Sequence, residues 1–204
     1  MEDFVHLHVH THYSTMDGLS EIPTLVDKAI NDGMKGMAIT DHGVLDGLKE
    51  FADYCAKINR QRKDNRLDVF KPIYGCEMFV ACNHKEEHVS PILNRPTYHL
   101  ILLAKNRQGF ENLTKLVSRS WADGYYYRPR TDRYDIEKYH EGLIASTACL
   151  GGEIPGKILT GNINGAREAV EWYHDMFGDD FYLELQRHKV TDPNIRANRE
   201  TYPM

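Results

Sequence analysis

The chain has 204 residues, 41% of them hydrophobic and 27% charged, with 30 acidic against 25 basic side chains and a net charge of -5. This is enough chain for one sizeable domain, and the acidic balance excludes a module that grips nucleic acid by backbone charge alone. No stretch approaches the roughly 18 apolar residues of a membrane span, no signal peptide is expected behind the acids Glu2 and Asp3, and Cys55, Cys76, Cys82 and Cys149 form no CxxC pair, so the reading is a cytoplasmic protein with reduced thiols.

Short β-rich runs alternate with amphipathic stretches. Phe4–His10 reads as a strand, and Ile22–Asn31 as a helix capped by Ser20 and stopped at Gly33. Gly36–Thr40 is a buried strand, and a helix follows from about Leu45 to Arg62. After the charged loop Lys63–Asp68, Val69–Ala81 is a strand bent at Gly75. Cys82–Pro96 is a polar loop, Tyr98–Ala104 a strand and Gly109–Ala122 a helix. Gly142–Thr147 is a strand, Ile163–Phe177 a helix entered through Gly161 and Asn162, and Asp180–Gln186 the last strand. This alternation predicts parallel βαβ units, in an open sheet or a barrel. Residues 187–204 are polar and carry Pro193 and Pro203, and the chain reads as a piece of something longer.

Four histidines alternate near the start: His6, His8, His10 and His12. Alternate side chains of a strand share a face, and a row of imidazoles can hold metal ions. In parallel α/β folds function gathers at the carboxyl ends of strands. The predicted strands deliver His8 and His10 with Asp17, then Asp41-His42-Gly43, Glu77, His99, Cys149, and finally Glu184, Gln186 and His188. Mixed nitrogen and oxygen ligands with one sulfur suit zinc or manganese, and the number of groups calls for more than one ion. Such a platform binds phosphate, generates hydroxide and stabilises a leaving oxygen. Phosphoester hydrolysis is therefore the leading chemistry, with amide hydrolysis or deamination on a multi-metal barrel as its rival.

HLHVHTHYSTMDG, GMAITDHG, YGCEMFV, YHLILLAKN, GYYYRPRTD, ASTACLGGEIP and FYLELQRH, in this order, resemble the N-terminal PHP (polymerase and histidinol phosphatase) domain of the bacterial replicative DNA polymerase III alpha subunits, from about Phe4 to Met204. The resemblance implies an α/β fold, a distorted seven-stranded (β/α) barrel incomplete at its C-terminal end, filling residues 1–204. It implies up to three zinc or manganese ions: one on His8, His10 and Glu77, a second on Glu77, His99 and Cys149, a third on Asp17 and His42. Asp41 would orient His42 from behind. The closing Asp-x-His motif and the palm carboxylates of polymerisation are not in this sequence, so DNA synthesis by this chain alone is not expected.

The implied activity of the intact protein is 3′–5′ removal of nucleotides by a metal-bound hydroxide, in DNA replication. DNA, the other domains of the alpha subunit, a proofreading subunit and the sliding-clamp assembly are the implied partners. The alternatives are a non-catalytic scaffold and a stand-alone phosphatase of small monoesters. Arg128 and Arg130, in the aromatic run Gly124–Arg133, and His188 are candidate phosphate or DNA contacts. That run reads equally well as a structural loop. His6 supports the site without ligating, His12 is expected to be exposed, and His84 and His88 belong to a solvated loop.

Overall fold

The computed structural model describes residues 4–15, 17–86 and 97–186; His88, His188 and the tail beyond it lie outside them. Among the described residues, six α-helices and one six-stranded sheet make up a mixed α/β fold. In chain order these are α1 (Ile22–Asn31), β1 (Gly36–Ile39), α2 (Gly47–Asp64), β2 (Lys71–Ala81), β3 (Thr97–Ala104), α3 (Arg107–Ala122), β4 (Arg130–Thr131), α4 (Arg133–Tyr139), β5 (Leu143–Ser146), α5 (Glu153–Leu159), α6 (Ile163–Phe177) and β6 (Phe181–Tyr182). None of the described helices is long and apolar enough to cross a membrane.

The sheet runs β1-β2-β3-β5-β6, with β4 on the same edge of β2 as β1. Its pairings correct the expectation of parallel units throughout. β1–β2, β2–β4 and β5–β6 are parallel, but β3 is antiparallel to both β2 and β5. No helix separates β2 from β3 in the described chain, and a direct return without a crossover helix gives an antiparallel pair. The strand expected over Phe4–His10 is likewise not formed as a ladder. His6 O accepts from Ala38 N, but the next bond runs from Thr40 N to Val9 O. Three residues on one side thus span two on the other, and Val9 N is diverted to the Thr40 hydroxyl. An extra residue of this kind disrupts a ladder and re-aims side chains.

Helix ends follow local chemistry. α3 starts two residues before its expected first residue because Asn106 caps it, its side chain accepting from Gly109 N; α6 starts at its Asn162 cap in the same way. Ser20 does not cap α1. Glu21 takes that position without a side-chain bond, and Pro23 in the first turn supplies the helical φ. Gly109 lies so close to Gly142 that an added Cβ would stand 1.8 Å from its carbonyl oxygen, which fixes α3 against the entry to β5.

The alternation of strand side chains divides the molecule. Cys76, Met78, Val80, Leu100 and Leu102 turn toward α3, α4 and α6 and form the main core with Leu113, Leu116, Ile136 and Tyr173. A second core joins α1, α2 and β1 through Val26, Ile39 and Phe51. The opposite face of β2 and β3 carries Ile101 and Leu103, packed with Ala38 and Ala148. It also carries Glu77, Phe79 and His99, with Phe79 directly across from His99. The site is built on this face.

A separate ionic core ties the loop after β2 to α3 and α4. Lys85 and Asp135 are both buried and paired. Asp135 also accepts from Arg119 Nε at 2.9 Å, and Asp132 caps α4 while accepting from Lys85 N.

Candidate metal centre

Glu77 sits in the middle of β2 with its side chain 1% exposed, where an isolated carboxylate would be costly. Four imidazole nitrogens surround it: His42 Nδ1 at 2.8 Å, His99 Nδ1 at 3.0 Å, His10 Nε2 at 3.1 Å and His8 Nε2 at 3.4 Å. They arrive from three places. His8 and His10 come from the N-terminal segment, His42 from the turn after β1, and His99 from β3. His42 is set by the main chain, since Glu77 N donates to Asp41 O and Gly43 N to Glu77 O.

The spacing fits a shared cation. Atoms bound about 2.0–2.2 Å from one ion lie about 2.8–3.6 Å apart at octahedral or tetrahedral angles. His8 Nε2 and His10 Nε2 are 3.2 Å apart, a separation two lone pairs tolerate poorly unless a proton or an ion lies between them. His42 Nδ1 and Glu77 Oε2 are buried and close, yet neither completes a hydrogen bond among the described residues. Two groups, His8–His10–Glu77 and His42–Glu77–His99, converge tightly enough to hold an ion each, with Glu77 common to both. Cys149 Sγ stands 3.6 Å from His99 Nδ1 and 3.9 Å from Glu77 Oε1, beside the second group. Contact with His99 lowers the Cys149 pKa against the opposing effect of burial, helped by the Gly151 N–H.

The outer nitrogens are held in turn. His8 Nδ1 meets Glu184 Oε1 at 2.8 Å, and Glu184 is itself fixed by Ser146, Gln186 and Thr147. The sequence places Glu184 among the ligand-type residues of the last strand; its partner, His8, lies 176 positions away. His10 Nδ1 meets Ser14 Oγ, whose hydroxyl is 2.7 Å from Asp41 Oδ1. Asp41 is buried and also accepts from the Thr11 amide and hydroxyl. Its link to His42 is indirect, through the Ser14 oxygen that accepts from His42 N. His42 Nε2 meets the exposed Asp17 at 2.9 Å. Such outer partners fix tautomer and ring orientation and raise ligand basicity.

Other expectations resolve differently. Arg130 is 2% exposed and donates to the carbonyls of Gly124 and Lys85, so it holds the loop and is not a phosphate contact. Arg128 is exposed. His12 is half-buried against Tyr13, contrary to expectation. His6 lies against Phe4, outside the converging groups.

The PHP domain family matches residues 6–188 of this sequence. The chain belongs to the PHP domain family. The DNA polymerase III alpha subunit of Borreliella burgdorferi is 44% identical over 196 residues, covering 96% of this chain and 16% of that protein. Those of Treponema pallidum and Aquifex aeolicus are 38% and 39% identical, covering 93% and 97% of the chain and 15% and 16% of the relatives. This PHP domain is thus homologous to a part of the alpha subunits and spans about 16% of the length of the first of them.

Electrostatics give the domain a pH signature. Burial works to raise the Glu77 pKa, and the four imidazoles outweigh it, leaving the carboxyl far below the usual range. Burial likewise opposes charge on His8, but Glu184 and Glu77 take it up to about 10. His99 is raised to about 9 against its burial by Cys149 and Glu77. Both folded values exceed the ordinary ~6.5, so in the metal-free domain the imidazolium contacts stabilise the fold fully below that pH and are lost as pH rises through about 9 and 10. Metal must displace these protons. Calorimetry in buffers of different ionisation enthalpy is expected to show about one to two protons released per chain on manganese binding at pH 7, with affinity rising with pH. Release near zero would mean that the histidines are not displaced.

Proposed function

We propose that this domain is a metal-dependent phosphodiesterase centre of a DNA polymerase III alpha subunit, acting on the 3′ end of DNA. The observation that carries the reading is Glu77, a buried carboxylate between four imidazole nitrogens with donor atoms left unsatisfied. We assign His8, His10 and Glu77 to one zinc or manganese ion, Glu77, His99 and Cys149 to a second, and Asp17 and His42 to a third. Divalent ions held there would supply the Lewis acidity that phosphoester hydrolysis needs at neutral pH.

The protein's own groups do the positioning. Glu184 fixes the ring of His8, Ser14 and Asp41 fix that of His10, and Glu77 spans both inner groups and sets their separation. The N-terminal segment touches β1 on one side and Glu184 on the other, which supports a sheet curled toward barrel closure around the site. Full closure, the partner domains of the alpha subunit and a proofreading subunit belong to the same reading.

The test is direct. A 5′-labelled single-stranded oligonucleotide with manganese is expected to shorten from its 3′ end, the ladder disappearing with EDTA and in His10→Ala. An unchanged ladder in His10→Ala overturns the assignment. Metal bound without turnover, in this chain and in the intact subunit, favours a scaffold role. Turnover of a small phosphate monoester alone favours a phosphatase.

A further inference from the structure

The segment after α3 was expected either to contact nucleic acid or to serve as structure, and its residues divide between the two. Arg130 turns inward. Arg128 turns outward, its guanidinium 4.7 Å from the centroid of the Phe79 ring. Phe79 stacks on His42 and meets His99 edge-on, so Arg128 stands one ring away from two of the metal-centre histidines. No carboxylate among the described residues pairs with Arg128. Its position comes from an aromatic face, which leaves the guanidinium donors free for an anion.

Beside it are exposed aromatic rings. Trp121, at the end of α3, donates from Nε1 to Gly43 O at 2.8 Å, which ties its indole to the turn that carries His42. Tyr125 stacks on Trp121 with centroids 5.4 Å apart and planes within 21°, and more than half of its surface remains exposed. Tyr127 is 71% exposed on a residue at φ +60°. It stands at the tip of a tight turn closed by the bond from Tyr126 N to Arg128 O. Gly43 lets the loop close down, because a Cβ there would meet Pro129 at 2.7 Å. Rings with open faces next to an arginine that no described carboxylate pairs are the elements of single-strand recognition: bases stack on any aromatic face, and phosphate takes the guanidinium. A duplex keeps its base faces stacked and cannot use the rings.

We propose that Arg128 with the Trp121–Tyr125 stack and Tyr127 forms a single-strand subsite at the rim of the metal centre. Arg128 takes a phosphate and Tyr125 takes a base, so that an unpaired 3′ end is led toward His42. The proposal rests on the phosphodiesterase reading for its purpose, and its binding step is separable from that reading.

The experiment uses the chain in EDTA, where no turnover occurs. Fluorescence anisotropy with a 5′-fluorescein oligothymidylate of about ten nucleotides is expected to show binding at low salt, weaker for the same sequence in duplex. Arg128→Ala is expected to weaken binding about five- to tenfold and to lower the slope of log affinity against log salt by about 0.7, one phosphate contact on a single strand. Tyr125→Ala is expected to weaken it by a similar factor with the slope unchanged. Lys28→Ala, on α1, serves as the control and should change neither; circular dichroism checks each fold. No binding, equal binding of single strand and duplex, or equal binding by wild type and both variants overturns the subsite and leaves the face for contact with other protein. Intact, variant-sensitive binding combined with an inactive metal centre overturns the phosphodiesterase reading while the subsite stands.

Discussion

Glu77→Gln is expected to strip the centre of its metals while leaving the fold in place. Glutamine matches the shape of glutamate, so the packing beside Cys76 and Met78 is kept. The negative charge shared by both candidate groups is removed. Supporting residues around metal ligands are worth about 10–100-fold in affinity, and a group common to two ions should exceed that, so the expected fall for manganese is at least about a hundredfold. The same change removes a carboxylate that raises His8 and His99. Proton release on any residual binding should drop with it. Elemental analysis of the purified variant, with titration calorimetry, checks both. Glu184→Gln keeps an acceptor for His8 Nδ1 and removes only its charge, so about tenfold is expected there. Wild-type metal content in Glu77→Gln would mean that the ions sit elsewhere.

Asp135→Ala is expected to be the most destabilising single change away from the centre. It removes the close, buried partner of Lys85, leaving only the half-exposed Asp123 at 4.0 Å, and takes one of the two carboxylates from Arg119, which keeps Asp123 at 3.3 Å. Breaking a buried ion pair by removing one member costs about 3–5 kcal/mol. For a domain of 150–250 residues this corresponds to a fall in melting temperature of about 6–20 °C. The paired variant Lys85→Met/Asp135→Leu removes both charges together and should recover most of the loss, since replacing a buried pair by apolar groups is often neutral. Thermal melts of the wild type and both variants decide it. A double variant as unstable as the single one would show that the network matters for more than charge compensation.

The two predictions draw on parts of the molecule that differ in how far the sequence reveals them. Helical periodicity placed α1 and α6 over their full lengths, aided in α6 by the Asn162 cap, because the information lies within a few residues. The short helices α4 and α5 left too little periodicity to find. Strand direction was misread because the antiparallel return from β2 to β3 depends on pairing partners, not on the composition of either strand. His8, His10, His42, Glu77 and His99 stood out as ligand types at strand ends, and they do meet in space. The bond from Glu184 to His8, the route from Asp41 through Ser14, and the opposite fates of Arg128 and Arg130 are tertiary facts. A pattern of residue types does not say which of two arginines turns inward.

The contact between His8 and Glu184 has a consequence for biosynthesis. Its two ends are 176 positions apart, and at about 5–20 residues per second that interval takes about 10–35 s to translate. Throughout it the nascent chain displays its closely spaced imidazoles without the carboxylate that orients His8. Bare histidines rank metals by intrinsic affinity, with copper ahead of zinc and manganese. On the proposed assignment, loading with zinc or manganese is expected to be a late event, and expression in copper-rich medium to yield more copper-bound protein than refolding of the finished chain in manganese.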